Sequence, residues 1–211
     1  MTSLYSYVVR YDSAFAPNPF FGYCTLATCK NGIRKGAQVG DWVLGTGSDA
    51  KGVRRGGYLV YAMQVTETLP TNEYWSDHRF QRKKPNLNSS WKMASGDNIY
   101  YPVDLGDWGQ LNSYHSNDDG SPKNKHMRKD TSVPRILISN NFIYFGAQGP
   151  RLPARFQPDG EFSLVKTGMN YLRKKDQILI TEFENWFEKI GLLGVHGEPW
   201  DWLKYYGKID V

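Results

Sequence analysis

Tyr5-Ser6-Tyr7-Val8-Val9-Arg10-Tyr11 is aromatic or β-branched at every position except Ser6 and Arg10. That composition suits a pleated, half-buried surface, so the run reads as the strand that opens a sheet. Next comes Ala16-Pro17-Asn18-Pro19-Phe20, whose two prolines fix φ and remove backbone donors, giving a loop of defined shape. Gly40-Asp41-Trp42-Val43-Leu44-Gly45 is a turn entering a short buried strand, and Gly56-Gly57 leads into another from Tyr58 to Thr66. Arg135-Ile136-Leu137-Ile138 and Phe142-Ile143-Tyr144-Phe145 flank Ser139-Asn140-Asn141, a pattern that predicts a hairpin.

Helix signals gather near the end. Thr71 to Phe80 suits one short helix, but Thr181 with Glu184 three residues on forms a capping box. Phe183, Trp186, Phe187 and Ile190 then recur at helical spacing until Gly191. Pro199 opens a second helix with Trp202, Leu203 and Tyr206 on one face, so the C-terminal helices are expected at about 181–206. The stretch from about 106 to 130 is rich in Gly, Asn, Asp and Ser and reads as a long loop of the kind that forms lids. With no repeat and no linker, strands first and helices last predict one α+β domain over 1–211. Its sheet is expected to be curved and mostly antiparallel, or a small open barrel, with flanking helices.

The 211 residues are 40% hydrophobic, enough for a buried core. Lys and Arg exceed Asp and Glu by 26 to 21, a net charge of +5, and the chain carries 7 Trp, 14 Tyr and 10 Phe. Phosphates attract cations and bases stack on rings, so this balance points toward a nucleotide or nucleic acid. No basic leader with an apolar run and no stretch of 18 apolar residues occurs, which predicts a soluble, cytoplasmic protein with no membrane partner. Cys24 and Cys29 lie five apart, outside metal, redox or disulfide spacing, and His78, His115, His126 and His196 are scattered. Phosphate-loop, dinucleotide and hydrolase signatures are missing, so neither metal nor cofactor is expected. Nothing in the sequence sets the oligomeric state.

Three stretches combine the residue types of a base pocket. Asn18 to Lys30 joins rings (Phe20, Tyr23) to an amide (Asn18) and small hydroxyls such as Thr28. Trp42 to Ser48 ends in Gly45-Thr46-Gly47-Ser48, which permits close backbone approach by a ligand. Tyr74-Trp75-Ser76-Asp77 adds adjacent rings and an acid. From Arg79 to Lys92 the chain then holds Arg79, Arg82, Lys83, Lys84 and Lys92 without one acid, the pattern of a loop that contacts phosphate.

These same residues carry a family resemblance. Tyr5 to Asp12, Ala16 to Phe20, Cys24 to Lys30, Gly40-Asp41-Trp42 and Phe142 to Gly146 resemble the nucleotide-modification-associated domain family of phages and bacteria. The likeness runs to about residue 190. It implies a link to modified nucleotides, and a bacterial cell or an infected host as the setting. A shorter likeness is to EVE and other PUA-like domains, small curved barrels that hold a flipped, often modified base. It rests on Val39 to Val43, Gln64 to Glu67, Asp77 to Phe80 and Lys83-Lys84-Pro85.

The leading expectation is a protein that recognises a nucleotide or modified base, free or in modified DNA. Phe20, Tyr23 and Trp75 would stack; Asn18, Ser48 and Asp77 would read polar edges; Thr28, Trp42, Gly47 and Tyr74 would complete the pocket. Arg10 would neutralise one phosphate, and Arg79, Arg82, Lys83 and Lys84 would contact others. One alternative is an enzyme that modifies a base, with Asp12, Asp77 or Asp107 as acid or base and Cys29 or Ser48 as nucleophile. His115 and His126 are further candidates in the long loop. Another alternative is a protein that sequesters a nucleotide signal.

Overall fold

The computed structural model describes residues 1–205. The first strands and helix are β1 (Leu4–Val8), β2 (Cys24–Leu26), α1 (Asn31–Gly36), β3 (Trp42–Thr46) and β4 (Leu59–Gln64). After them come β5 (Glu67–Pro70), α2 (Thr71–Ser76), α3 (Trp91–Ala94), β6 (Tyr100–Pro102), β7 (Trp108–Gln110) and α4 (Asn124–Thr131). The last are β8 (Arg135–Ser139), β9 (Asn141–Tyr144), β10 (Tyr171–Lys174), α5 (Gln177–Ile190), β11 (Gly194–Val195) and α6 (Trp200–Tyr205). Helices and mostly antiparallel strands make the fold α+β, and the sheets are open.

Contacts divide the chain into two compact units. One combines Met1–Ser13, Ala37–Val65 and the residues from Asn140 onward; the other combines Ala14–Gly36 and Thr66–Ser139. Because the units are built from interleaved stretches, no linker marks them in the composition.

The first unit holds a six-stranded sheet in the order β10-β1-β3-β4-β9-β11, with β1–β3 and β9–β11 parallel. Helix α5 covers it, burying Leu179, Ile180, Phe183 and Phe187 among Leu4, Trp42, Leu44 and Ile143. Asp176 caps this helix, accepting from the Ile178 and Leu179 amides, and Gly191 ends it at φ 65°. The helix therefore starts before the Thr181–Glu184 pair, whose carboxylate instead accepts from Trp42 Nε1 at 2.9 Å. Helix α6 does follow Pro199; Tyr206, expected on its apolar face, lies outside the described residues.

In the second unit a three-stranded sheet, β2-β8-β5, stands with the two-stranded ribbon β6–β7. Two expectations are corrected here. The residues around Ser139-Asn140-Asn141 are no hairpin: β8 pairs with β2 and β5, whereas β9 pairs with β4 and β11. A two-residue hairpin turn needs positive φ, and none of these three residues takes it. The long polar stretch at 106–130 is no continuous loop either, for it contains β7 and most of α4. The residues Thr71 to Phe80 split into α2 and a 3₁₀ turn, His78–Lys83, whose cap is Asp77 accepting from the Arg79 amide.

Candidate functional site

The second unit is organised around a buried ammonium. Lys83 Nζ donates to Asn18 O at 3.0 Å, Asn18 Oδ1 at 2.6 Å and Tyr23 O at 2.9 Å, so all three of its protons are placed. Asn18 Nδ2 in turn donates to Ala14 O and Ser95 O. Nearby, Asp97 accepts from Thr25 Oγ1 at 2.6 Å and from Tyr74 OH at 2.7 Å. Burial, opposed by the Asp97 charge, lowers Lys83 to about 8, and its three acceptors suit the charged form. Asn18, Thr28, Tyr74 and Lys83 are all fully or almost fully buried. In this conformation the amide of Asn18 and the ammonium of Lys83 are spent on protein.

The surface beyond this frame alternates rings and cations. The Lys84 ammonium lies 3.5 Å from the centre of the Trp75 ring, and Trp75 packs on Tyr101 at 5.1 Å with 34° between planes. Arg82 lies 4.4 Å over Phe21, and Lys92 5.6 Å from Phe20. Tyr101 lies across Gly109, its partner in the ribbon, where a Cβ would come within 2.2 Å of the ring. Arg79 differs from its neighbours: it is ion-paired with Glu67 at 2.8 Å and Asp77 at 2.7 Å, and it packs on Phe80. Of the four expected phosphate contacts, Arg79 and Lys83 are therefore engaged internally. Arg82 and Lys84 have no carboxylate partner among the described residues, and Lys92 joins them. Phe20 is buried but for 4% of its surface, Tyr23 packs edge-on against Phe80, and Asp77 serves as cap and Arg79 partner.

The remaining expected pocket residues belong to the first unit. Trp42 is packed edge-on against Phe183 and Phe187, at 5.2 and 4.7 Å, inside the core. Asp12 accepts from Tyr144 OH at 2.6 Å and from the Trp200 amide at 3.2 Å, tying down the start of α6. Ser48 Oγ accepts from the Ala50 amide in a turn. Arg10, Asp12 and Gly47 line one shallow recess with Arg55, Tyr58 and Trp200.

Cys29 lies in the second unit beside two groups from distant positions. Its Sγ is 3.4 Å from His115 Nε2, and His115 Nδ1 is 3.2 Å from Asp130 Oδ2. Asp107 is exposed and makes no such contact. Sequence reading named Cys29 and His115 separately but missed Asp130. The one local hint was its place four residues after His126, at the end of α4.

Among the described residues no group of His, Cys, Asp and Glu is arranged to hold a metal ion. No described helix is long and apolar enough to cross a membrane. No curated protein and no solved structure matches the chain. A family model, by contrast, covers residues 1–205, essentially the whole described chain. The loop, strand and turn motifs quoted above thus lie within one continuous match, and the chain belongs to the nucleotide modification associated domain 2 family.

Proposed function

We propose that the chain recognises a nucleotide, and that the ring-and-cation surface of its second unit is where it does so. The observation behind this is the contrast between Arg79, neutralised by two carboxylates, and Arg82, Lys84 and Lys92, each near a ring with no acid beside it among the described residues. A cation in that state attracts phosphate, and a partly exposed ring beside it offers a face or edge to a base. Trp75 and Tyr101 supply the stacking surface, so the pocket residues read from the sequence divide: Trp75 faces the ligand while Asn18 and Tyr74 hold the frame behind it. Family membership supports the ligand class, through its association with nucleotide modification.

The test is an equilibrium titration with dTMP and with a fluorescein-labelled oligothymidylate. Trp75→Ala is expected to weaken oligonucleotide binding roughly 5- to 150-fold, the equivalent of about 1–3 kcal/mol for one lost stack. Unchanged affinity in a folded Trp75→Ala variant would remove the surface from consideration.

A further inference from the structure

We propose that Cys29 is the nucleophile of an acyl-transfer site, with His115 as its proton acceptor and donor and Asp130 as the carboxylate that positions His115. This goes beyond nucleotide recognition and rests on a different part of the second unit. Tyr100 and Tyr101 are consecutive in β6 and so point to opposite faces of the ribbon. Tyr100 OH donates to Asp130 Oδ2 at 3.0 Å, whereas Tyr101 packs on Trp75.

Four features separate Cys29 from a packing cysteine. The two imidazole nitrogens of His115 are used one each, Nε2 on the sulfur and Nδ1 on the carboxylate, which fixes the ring's orientation. Burial falls in the order such a site requires: the Asp130 side chain is 3% exposed, His115 15%, and Cys29 is only partly buried. Asp130 also accepts from the Cys29 amide through Oδ1 at 2.9 Å, so one carboxylate fixes both the base and the backbone of the nucleophile. Cys29 and Lys30 take φ of 56° and 42°, a left-handed conformation that ordinary side chains avoid. Cys24 provides the contrast: it is fully buried in β2, and burial pushes its thiol up.

The electrostatics set the pH at which this geometry can work. Burial opposes a charge on His115, but the hydrogen bond to Asp130 and the contact with Cys29 outweigh it and raise the imidazole to about 9. The other titratable ring against it is His126, at 4.8 Å, which is held low by burial and by the His115 charge. Phe15, at 4.7 Å, walls the imidazole with an apolar ring. Arg34, a further charged group here, donates to the backbone carbonyl of Asp130.

In the step this arrangement performs, which needs His115 neutral and so speeds up as the pH rises toward about 9, Sγ attacks the carbonyl carbon of an ester or amide as its proton passes to His115 Nε2. The tetrahedral oxyanion collapses, the C–O or C–N bond breaks, and His115 protonates the departing alcohol or amine. A thioester remains on Cys29. An amine or water then attacks it, giving its proton to Nε2; the C–S bond breaks and the sulfur takes the proton back. No oxidant, metal or cofactor enters the balance. The amine of a nucleotide base, or of a modified base, is the acceptor class that suits the chain's family.

The experiment treats the full chain with p-nitrophenyl acetate and maps the product by peptide mass. The expected result is a burst of p-nitrophenolate close to one per protein, with one acetyl group on Cys29 and none on Cys24. Cys29→Ser abolishes the thioester, and His115→Ala slows its formation roughly 10²- to 10⁴-fold. Asp130→Asn moves the midpoint of the pH profile of Cys29 acetylation downward from about 9, a change in the reaction's own pH dependence that a merely structural role would not produce. Acetylation of folded wild-type protein at Cys29 no faster than at free cysteine in solution would overturn the proposal. So would rapid alkylation of Cys29 by iodoacetamide with no acyl-enzyme.

Discussion

Lys83→Met is expected to lower the stability of the second unit by about 3–5 kcal/mol, because it strips three buried acceptors of their donor at once. Asn18 O, Asn18 Oδ1 and Tyr23 O receive the whole of the Lys83 ammonium, and methionine returns only the apolar contacts of its stem. Asp97 is left without the cation that offsets its burial, so the loss extends to the Thr25 and Tyr74 hydroxyls that donate to it. A domain of ordinary stability has about 5–15 kcal/mol in hand, which places this variant near the edge of folding. Urea unfolding followed by tryptophan fluorescence measures it: the midpoint falls with little change in slope. A phosphate-binding lysine on the surface would show the opposite, unchanged stability with weakened nucleotide binding.

Trp42→Ala is expected to cost the first unit about 3–5 kcal/mol, the range for truncating a large buried ring. The ring lies between Phe183 and Phe187, and its Nε1 donates to Glu184 Oε1. Truncation leaves a cavity under α5 and an acceptor without its donor. Trp75→Ala, on a partly exposed ring outside the core, is expected to cost about 1 kcal/mol or less. Thermal melts of the two variants, run together, separate a core tryptophan from a binding one. Equal melting temperatures would contradict the assignment of Trp42 to the core.

Sequence and structure agree where the signal is local. The aromatic and β-branched run at Tyr5 forms β1, the periodic rings after Asp176 form α5, and Pro199 precedes α6. The roles of single side chains were harder to read, because they depend on partners far along the chain. Trp42 and Trp75 look alike in sequence, both beside small or polar residues, yet a helix 142 residues away covers Trp42. Lys83 sits in the same acid-free run as Lys84, but adjacent residues of a 3₁₀ turn face different ways, and only Lys83 meets the Asn18 loop. The Cys29–His115–Asp130 contacts bridge 86 and 15 residues, with no motif spacing to announce them. The missed β8–β9 break has the same origin: two apolar runs around an Asn pair match a hairpin locally, and only the strands already in place decide that each joins a different sheet.

The recognition surface stands or falls on Arg82, Lys84 and Lys92, which no carboxylate among the described residues satisfies and which lie on Phe21, Trp75 and Phe20. The direct measurement is the salt dependence of oligothymidylate binding by wild type and by the triple variant Arg82→Ala, Lys84→Ala, Lys92→Ala. Each cation that meets a phosphate contributes about 0.7 to the slope of log affinity against log salt for a single strand. The triple variant is therefore predicted to bind more weakly with a slope shallower by roughly 2. An unchanged affinity and an unchanged slope, in a variant that melts like wild type, would contradict nucleotide recognition at this surface.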